Sequence, residues 1–312
     1  MKFKRIGSAF ILVFAALIWG VAFVAQSVGM EFVGPFTFNT ARSVLGGTVL
    51  IPCILILDKT AGKPLSIWGT KDKEARKTLL KGGLLCGTVL AIASALQQIG
   101  IVYTSVGKAG FISALYIVII PLFGLYAGRR VSKMVWASVV IATVGMYFLC
   151  MNESFVINIG DFLIFLCAIV FSLHILIIDH FAPKVDAVRM SCIQFFVCAA
   201  VSAIPMLITE SPDIKVIASA WQPIVYAGVL SSGVAYTLQI VAQKNIPPVV
   251  ASLIFSLESV FAALAGWIIL GQDLTARELL GSLFVFAAII LSQLNKPDSE
   301  KQGSVDIMQN NA

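Results

Sequence analysis

Ten long apolar segments follow one another along the chain, separated by short polar connections. Each runs for 18 to 23 residues, which is the length that a helix needs to cross the hydrocarbon core of a bilayer. The segments are too long for barrel strands, and a helix satisfies its own backbone hydrogen bonds in lipid. We therefore predict ten transmembrane helices, at residues 8–29, 35–57, 79–101, 109–127, 132–150, 160–178, 189–208, 220–242, 249–270 and 277–294.

The composition supports an all-α integral membrane protein. Of the 312 residues, 59% are hydrophobic and 12% are charged, whereas soluble domains carry about 25% charged residues. The net charge of +6 does not indicate nucleic acid as a partner, because the basic residues lie in the connections between apolar runs. The six cysteines are scattered singly, without the spacing of a disulfide framework or a metal site.

Lysine and arginine accumulate on one side of the predicted membrane. With the N-terminus inside, eighteen of the 22 basic residues fall on the inner side and three on the outer side, while Arg42 lies within a span. Basic residues favour the cytoplasmic side, so we predict that both termini are cytoplasmic. The polar tail at 295–312 has no periodic pattern, and we expect it to be disordered.

The two halves of the chain resemble each other. Residues 109–132 and 252–275 each end an apolar run in a glycine and a polar turn, at an offset of 143 residues. The earlier runs in each half also have similar lengths, with an internal polar residue at Arg42 or Gln194, at an offset of 152 residues. Because each half holds five helices, an odd number, the second half is inverted relative to the first.

These observations predict two repeats of five helices each, at 8–150 and 160–294, followed by the polar tail. Inverted repeats recur in secondary transporters, whose substrate sites lie near the membrane midplane at the repeat interface. The sequence has no phosphate-binding glycine loop with its lysine, no nucleophile elbow and no HExxH pair. We therefore expect a protein that is not an enzyme, that needs no cofactor and that does not hydrolyse ATP.

Several motifs carry a family resemblance. In the second half they are Val225 to Gly233, Ala235 to Gln239, Ser256 to Leu264 and Gly271 to Thr275. In the first half they are Trp19-Gly20, Asn39 to Arg42, and Leu115-Tyr116 with Pro121. Over about residues 8–293 the chain resembles the EamA-type transporters of the drug/metabolite transporter superfamily. It departs from their usual pattern at Ser259, where proline is common, and at Gln272-Asp273, where a glutamate commonly follows the glycine.

The resemblance implies ten helices in two inverted EamA repeats, cytoplasmic termini, and export or exchange of small organic solutes such as amino acids or related metabolites. It also implies a location in the plasma membrane, the cytoplasmic membrane of a bacterium. Protons are a candidate coupling ion and a homodimer is a candidate assembly. Two other solute classes stay open, which are lipophilic drugs or cations, and nucleotide sugars or sugar phosphates.

Two charged residues inside spans are the first candidates for a substrate cavity. Arg42 lies about eight residues into the second span, and Glu258 lies about ten residues into the ninth, near mid-depth. A carboxylate at that depth is costly to bury, so it should face protein or a water-filled cavity. Arg42 either binds an anionic group of the solute, for which a guanidinium is suited, or belongs to the scaffold. In the scaffold alternative, Arg42 and Glu258 neutralise each other or cap backbone carbonyls.

Six further residues are candidates for the cavity wall: Trp19, Asn39, Tyr116, His174, Gln194 and Tyr236. Core packing is the alternative for each aromatic residue, and for His174 a hydrogen-bonded packing role is favoured. With only two histidines and no partners at ligand spacing, no metal site is predicted. An enzyme site at Asp179-His180 and a purely structural role are the remaining rivals.

Overall fold

The computed structural model describes residues 2–63, 65–104, 106–128, 131–150, 158–271 and 275–294. Within these ranges ten helices are long and apolar enough to cross a membrane, and no β-strand is present. This confirms the predicted ten-helix fold class. The candidate spans are Lys4–Met30, Pro35–Thr60, Lys73–Tyr103, Ala109–Tyr126, Lys133–Cys150, Ile159–Lys184, Ala187–Thr209, Trp221–Gln243, Pro248–Ile269 and Ala276–Gln293.

Fourteen α-helices build these spans and one of the connections within the described residues. They are α1 (Lys2–Met30), α2 (Pro35–Thr60), α3 (Lys73–Tyr103), α4 (Val106–Ser113), α5 (Tyr116–Tyr126), α6 (Lys133–Cys150), α7 (Ile159–Phe181), α8 (Ala187–Thr209), α9 (Ile214–Ser219), α10 (Trp221–Val225), α11 (Tyr236–Gln243), α12 (Pro248–Phe255), α13 (Leu257–Leu270) and α14 (Ala276–Leu294). A π-helix, Tyr226–Ala235, joins α10 to α11, so the eighth span changes its helical pitch partway across.

Polar side chains mark where several helices begin. Asp72 accepts a hydrogen bond from the backbone of Glu74 at the start of α3, and Asp186 accepts one from Arg189 at the start of α8. Asn158 and Asp161 form a reciprocal capping box at the start of α7. Each side chain satisfies a backbone N–H that has no partner within its own helix, so the helix ends follow from local sequence.

The two repeats are inverted, and their discontinuities correspond. The fourth span breaks between Ser113 and Tyr116, and the ninth breaks at Ser256. The offset of 143 residues seen in the sequence relates Ser113 to Ser256. Both hydroxyls donate to the carbonyl three residues earlier, Ser113 to Gly110 at 3.1 Å and Ser256 to Leu253 at 2.6 Å. Such bonds compete with the backbone ladder and favour bends.

The spans pack through small residues on their inner faces and present large apolar side chains outwards. A Cβ atom on Gly145 of α6 would lie 2.8 Å from the carbonyl oxygen of Gly281 in α14, so these two helices cross in close contact. On the outer surface Phe10 is 70% exposed and Ile208 is 77% exposed. In a membrane these side chains contact lipid, and close packing of small residues holds the helices together.

At each end of the bundle, a polar contact that involves a carboxylate joins α2 of the first repeat to α8 of the second. The basic end is the end of the bundle that holds the described connecting residues 61–63, 65–72, 127–128, 131–132, 185–186 and 244–247. There the Nη2 atom of buried Arg189 lies 2.7 Å from both carboxylate oxygens of buried Asp58. At the other end, the Glu210 carboxylate accepts from the Thr37 hydroxyl at 2.6 Å and from the backbone N–H groups of Thr37 and Phe36.

These two contacts obey the same symmetry as the repeats. The offset of 152 residues relates Asp58 to Glu210 and Thr37 to Arg189. In each contact, a carboxylate at the last residues of one helix meets the first turn of the other. The predicted disordered tail and the turn residues Arg129, Arg130 and Asp273 lie outside the described residues.

Candidate functional site

A cavity lies between the two repeats, lined by residues from both. Its wall consists of Trp19, Phe23, Gln26, Arg42, Gln97, Ser113, Tyr116, Phe171, His174, Ile175, Ser231, Tyr236, Gln239, Phe255 and Glu258. The cavity offers about 60 Å³ to the centres of water-sized molecules, which is room for a few waters. In this conformation a larger solute needs the wall to move outwards.

Arg42 reaches the cavity from α2 and is held by neutral groups. Its Nη1 atom donates to Gln26 Oε1 at 3.3 Å, and its Nη2 atom donates to Ser94 Oγ at 3.1 Å. The guanidinium carbon lies 5.9 Å from the centre of the Phe38 ring, and Arg42 is 7% exposed. Among the described residues, none of the ion pairs involves Arg42. Its positive charge is therefore oriented without being neutralised by a neighbouring carboxylate.

Glu258 reaches the cavity from α13, one turn or less after the break in the ninth span. Its Oε1 atom accepts a hydrogen bond of 3.1 Å from the Tyr116 hydroxyl. Tyr116 is itself the first residue of α5, immediately after the break in the fourth span. The two symmetry-related breaks thus bring a tyrosine of one repeat against a glutamate of the other.

Aromatic rings form one side of the cavity. Trp19 lies 4.8 Å from Tyr236 and 5.2 Å from Phe255, measured between ring centres. Tyr236 also contacts His174 at 5.8 Å and Phe195 at 5.5 Å, in edge-on arrangements. Aromatic packing of this kind keeps the rings in place, so the wall offers a firm apolar surface beside the charged groups.

Six of the eight residues singled out from the sequence line this cavity, and two do not. Asn39 is fully buried outside it, and neither polar atom of its side chain has a hydrogen-bond partner. Gln194 lies behind the wall, where its Oε1 atom is 3.1 Å from His174 Nε2. His174 thus both lines the cavity and makes the hydrogen bond expected of a packing residue. Contact of any of these residues with a solute stays a prediction.

Five polar lining residues escaped the candidate set taken from the sequence. They are Gln26, Gln97, Ser113, Ser231 and Gln239. Uncharged polar residues inside spans were the available signal, but such residues can also be buried away from the cavity, as Gln98 is. Ser231 lies in the π-helix and Gln239 in the helix that follows it. Short π-helical segments are frequent at functional sites, but their position cannot be inferred from apolar periodicity.

The arrangement is suited to binding and not to bond cleavage. A fixed guanidinium, a carboxylate and an apolar wall together complement a small molecule that carries charge and some apolar surface. Within the described ranges no group of three or more histidine, cysteine, aspartate or glutamate residues could hold a metal ion. The chemistry available to the site is therefore recognition by charge, hydrogen bonds and shape.

The amino-acid sequence matches the model of the EamA-like transporter family in two stretches, residues 6–151 and 158–294. It is similar to an uncharacterized transporter of Archaeoglobus fulgidus, with 28% identity over 93% of this chain and 87% of the relative. It is also similar to the uncharacterized transporter YoaV of Bacillus subtilis, with 25% identity over 90% of this chain and 94% of the relative. These matches confirm the resemblance seen in the motifs.

The fold is shared with solved crystal structures, one of which serves as the example here. It superposes with a TM-score of 0.76 and covers 93% of this chain and 98% of its own, at 18% sequence identity. At that identity the similarity concerns the arrangement of the helices and not the solute.

Proposed function

The chain belongs to the EamA-like transporter family, and from that premise we propose that it exports or exchanges a small zwitterionic solute, an amino acid or a related metabolite. Members of this family are membrane transporters and not enzymes. The solute class is inferred from the cavity. The energy comes from a gradient of the solute or of an ion, since the sequence carries no nucleotide-binding motif.

The observation that carries this proposal is the separation of the two charged groups. Arg42 of the first repeat and Glu258 of the second line one cavity, and each is hydrogen-bonded to neutral partners instead of to the other. Burying two charges is costly unless each finds a partner. A zwitterion supplies both partners at once, because its carboxylate suits Arg42 and its ammonium group suits Glu258.

The aromatic wall and the number of basic residues narrow the solute further. Trp19, Tyr236 and Phe255 line the cavity and complement an apolar side chain. Phosphorylated solutes need several cationic contacts, whereas Arg42 is the one lysine or arginine among the described lining residues. A lipophilic cation is the second candidate, because Glu258 beside aromatic rings also suits a cation.

Alternating access is the transport mechanism that this architecture supports. We propose that the two halves, 8–150 and 160–294, rock against each other around the cavity. The breaks in the fourth and ninth spans provide points where each span bends, and discontinuous helices flank the substrate sites of many secondary transporters. Tyr116 and Glu258 each follow one of these breaks, so a movement of one break relative to the other changes the distance between the two side chains.

Uptake into liposomes tests the proposed solute. Purified protein is assayed with labelled leucine, phenylalanine and a lipophilic cation, and Arg42→Gln is compared with the wild type. We expect saturable uptake of an amino acid, with KM raised about 10- to 100-fold by Arg42→Gln because a hydrogen-bonded charge pair is lost. The matched control is Arg277→Gln, which removes an arginine stacked on Tyr147 and Phe148 instead of one at the cavity.

Two other outcomes of this assay would contradict the proposed zwitterion. If the protein carries only the lipophilic cation, and Arg42→Gln leaves that transport unchanged, the cation exporter is the correct function and Arg42 belongs to the scaffold. If neither amino acid moves through folded, inserted protein, the zwitterion proposal is wrong, and phosphorylated solutes become the next class to assay.

Protons are the coupling ion in this proposal. We propose that protons drive transport through Glu258. An imposed pH gradient should then drive leucine accumulation in the wild type and fail to do so in Glu258→Gln. Leucine accumulation that does not depend on the pH gradient would contradict the coupling.

We also propose that the protein lies in a plasma membrane with both termini cytoplasmic, and that it functions alone or as a homodimer. Tags at both termini should then resist protease added to intact cells. Digestion of either tag would contradict the topology.

A further inference from the structure

Two glutamines on α11 form a directed hydrogen-bond chain that ends at the cavity. Gln243 Nε2 donates to the backbone carbonyl of Ile175 in α7 at 3.1 Å. Gln239 Nε2, one turn earlier, donates to Gln243 Oε1 at 2.9 Å. The chain stops there, because Gln239 Oε1 has no hydrogen-bond partner. Both side chains are buried, at 1% and 2% exposure.

The direction of this chain is set by the carbonyl group at its far end. A carbonyl oxygen can only accept, so Gln243 must turn its NH₂ group towards Ile175. Its own oxygen then faces Gln239, which must in turn donate with its NH₂ group. The atom of the Gln239 amide that is left without a partner is therefore its oxygen, a hydrogen-bond acceptor. The hydrogen-bond network thus assigns which side of the amide carries the oxygen and which carries the nitrogen.

This acceptor belongs to a residue of the cavity wall. Gln239 and Glu258 both line the cavity and both offer acceptor oxygens. Gln239 is four residues from the end of α11 at the basic end, about 6 Å along the helix. Arg42, which offers donors, is seven residues from the start of α2 at the opposite end. Among these groups, the acceptor of Gln239 therefore lies nearer the basic end and the donors of Arg42 lie nearer the opposite end.

An oxygen without a partner is costly in a buried site. An apolar residue of similar size would pack there without that cost, so a solute that donates a hydrogen bond to this oxygen would offset the cost of burying it. In the proposed function, the donor group available on the solute is its ammonium group, which also suits Glu258.

We propose that Gln239 is a specificity-determining residue, whose Oε1 atom accepts a hydrogen bond from the ammonium group of the solute. Gln243 is a positioning residue that keeps the Gln239 amide in the accepting orientation. This inference rests on the proposed function, since it concerns the recognition of a zwitterion in the same cavity. It adds the direction of binding: the ammonium group lies towards the basic end and the carboxylate towards Arg42.

Competition in liposomes tests the role of Gln239. Counterflow of labelled leucine is inhibited with unlabelled leucine and with 4-methylpentanoate, which has the same carbon skeleton and carboxylate but lacks the ammonium group. The half-inhibition concentration of 4-methylpentanoate divided by that of leucine measures how strongly the protein recognises the ammonium group. We expect Gln239→Leu to lower this ratio about tenfold, the value of one hydrogen bond to a charged donor.

Matched variants separate this effect from general damage. Gln98→Leu removes another buried glutamine whose side chain lies outside the cavity wall and has no hydrogen-bond partner, and it should leave the ratio unchanged. If Gln239→Leu does not insert into the membrane, Gln239→Met replaces it in the same competition assay, because methionine keeps the length of the side chain. An unchanged ratio in the Gln239 variants would overturn the proposal and assign the acceptor to a bound water.

The positioning role of Gln243 has its own readout. In Gln243→Glu a protonated carboxyl group can donate to the Ile175 carbonyl with its hydroxyl and accept from Gln239 Nε2 with its other oxygen, so the Gln239 oxygen stays free. In Gln243→Leu the Gln239 amide is released and can turn. We expect the ratio to be retained in Gln243→Glu and to fall severalfold in Gln243→Leu. A residue important only for packing would show the reverse order, because a buried carboxyl group disturbs packing more than leucine does.

Failure of this inference differs from failure of the proposed function. If the wild type does not carry leucine or any other amino acid, the proposed function is wrong. If it carries leucine and Arg42→Gln raises KM, but the ratio is the same in the wild type and in the Gln239 variants, then the function stands and the role of Gln239 is wrong.

Discussion

At the scale of single residues, the cavity keeps its ionisable groups in position with neutral hydrogen bonds. Arg42 uses Gln26 and Ser94, and Glu258 uses Tyr116. Such partners orient a charged group without neutralising it, so the group can still attract a solute of opposite charge. A direct pair between Arg42 and Glu258 would instead have made both groups part of the scaffold.

Removing the Tyr116 hydroxyl tests this positioning. We expect Tyr116→Phe to raise the KM for leucine about 3- to 10-fold, because one hydrogen bond between a neutral donor and a carboxylate is lost. Uptake kinetics in liposomes measure the change. Tyr103→Phe is the control, since Tyr103 is 57% exposed on the outer surface. An unchanged KM in Tyr116→Phe, with a raised KM in Glu258→Gln, would show that Glu258 does not need the tyrosine.

At the scale of helices, the contact between α1 and α13 places Glu258 beside Trp19. Gly20 makes this contact possible: a Cβ atom there would lie 2.5 Å from Phe261 Cβ and 2.7 Å from the carbonyl oxygen of Glu258. Backbone atoms cannot give way as a flexible side chain can. The close approach of the two helices therefore depends on the absence of a side chain at one position.

Alanine at Gly20 should separate these helices. We expect Gly20→Ala to lower stability by about 1–3 kcal/mol through overpacking and to reduce leucine uptake, because Glu258 moves with α13. Thermal unfolding in detergent and initial uptake rates measure the two effects. Gly7→Ala is the control in the same helix, since a Cβ atom at Gly7 would meet nothing within 4 Å. Equal behaviour of the two variants would contradict the role of Gly20.

At the scale of the whole molecule, α2 and α8 are joined across the repeat interface at both ends, by different chemistry. The basic end uses a buried guanidinium–carboxylate pair between Arg189 and Asp58, to which the carbonyl of Ser66 adds a further acceptor. The opposite end uses a carboxylate, Glu210, that caps the first turn of α2. The two ends should therefore differ in how strongly they resist separation.

Substitutions at the two ends test this difference. Asp58→Asn leaves the buried guanidinium of Arg189 with a neutral amide in place of its buried carboxylate partner, and the half-exposed Asp186 is a weaker ionic partner, so the change is strongly unfavourable. Glu210→Gln keeps one acceptor oxygen for the helix start. We expect Asp58→Asn to lower the Tm by at least about 5 °C, and Glu210→Gln to lower it less. Thermal unfolding of both variants in one detergent gives the comparison, and a larger loss in Glu210→Gln would contradict it.

Much of the architecture could be predicted because a bilayer restricts the backbone conformations that an apolar segment can adopt. Each apolar run must become a helix that satisfies its own backbone, so the spans agree with the sequence to within a few residues at most ends. The offsets of 143 and 152 residues, noticed from run lengths and turns, also relate Ser113 to Ser256 and Asp58 to Glu210. The halves therefore resemble each other in their bends and end contacts as well as in length.

The sequence by itself determined the number of spans, their approximate ends and the presence of two charged groups within spans, because burial in lipid constrains these features locally. Only the tertiary structure decided which polar residues share the cavity. Asn39 lies outside it and Gln239 lies in its wall, since the direction in which a side chain faces depends on how its helix is rotated and bent. The π-helix before α11 shifts the angular position of every later residue in its span, and the breaks of one or two residues near Glu258 and Tyr116 do the same in theirs.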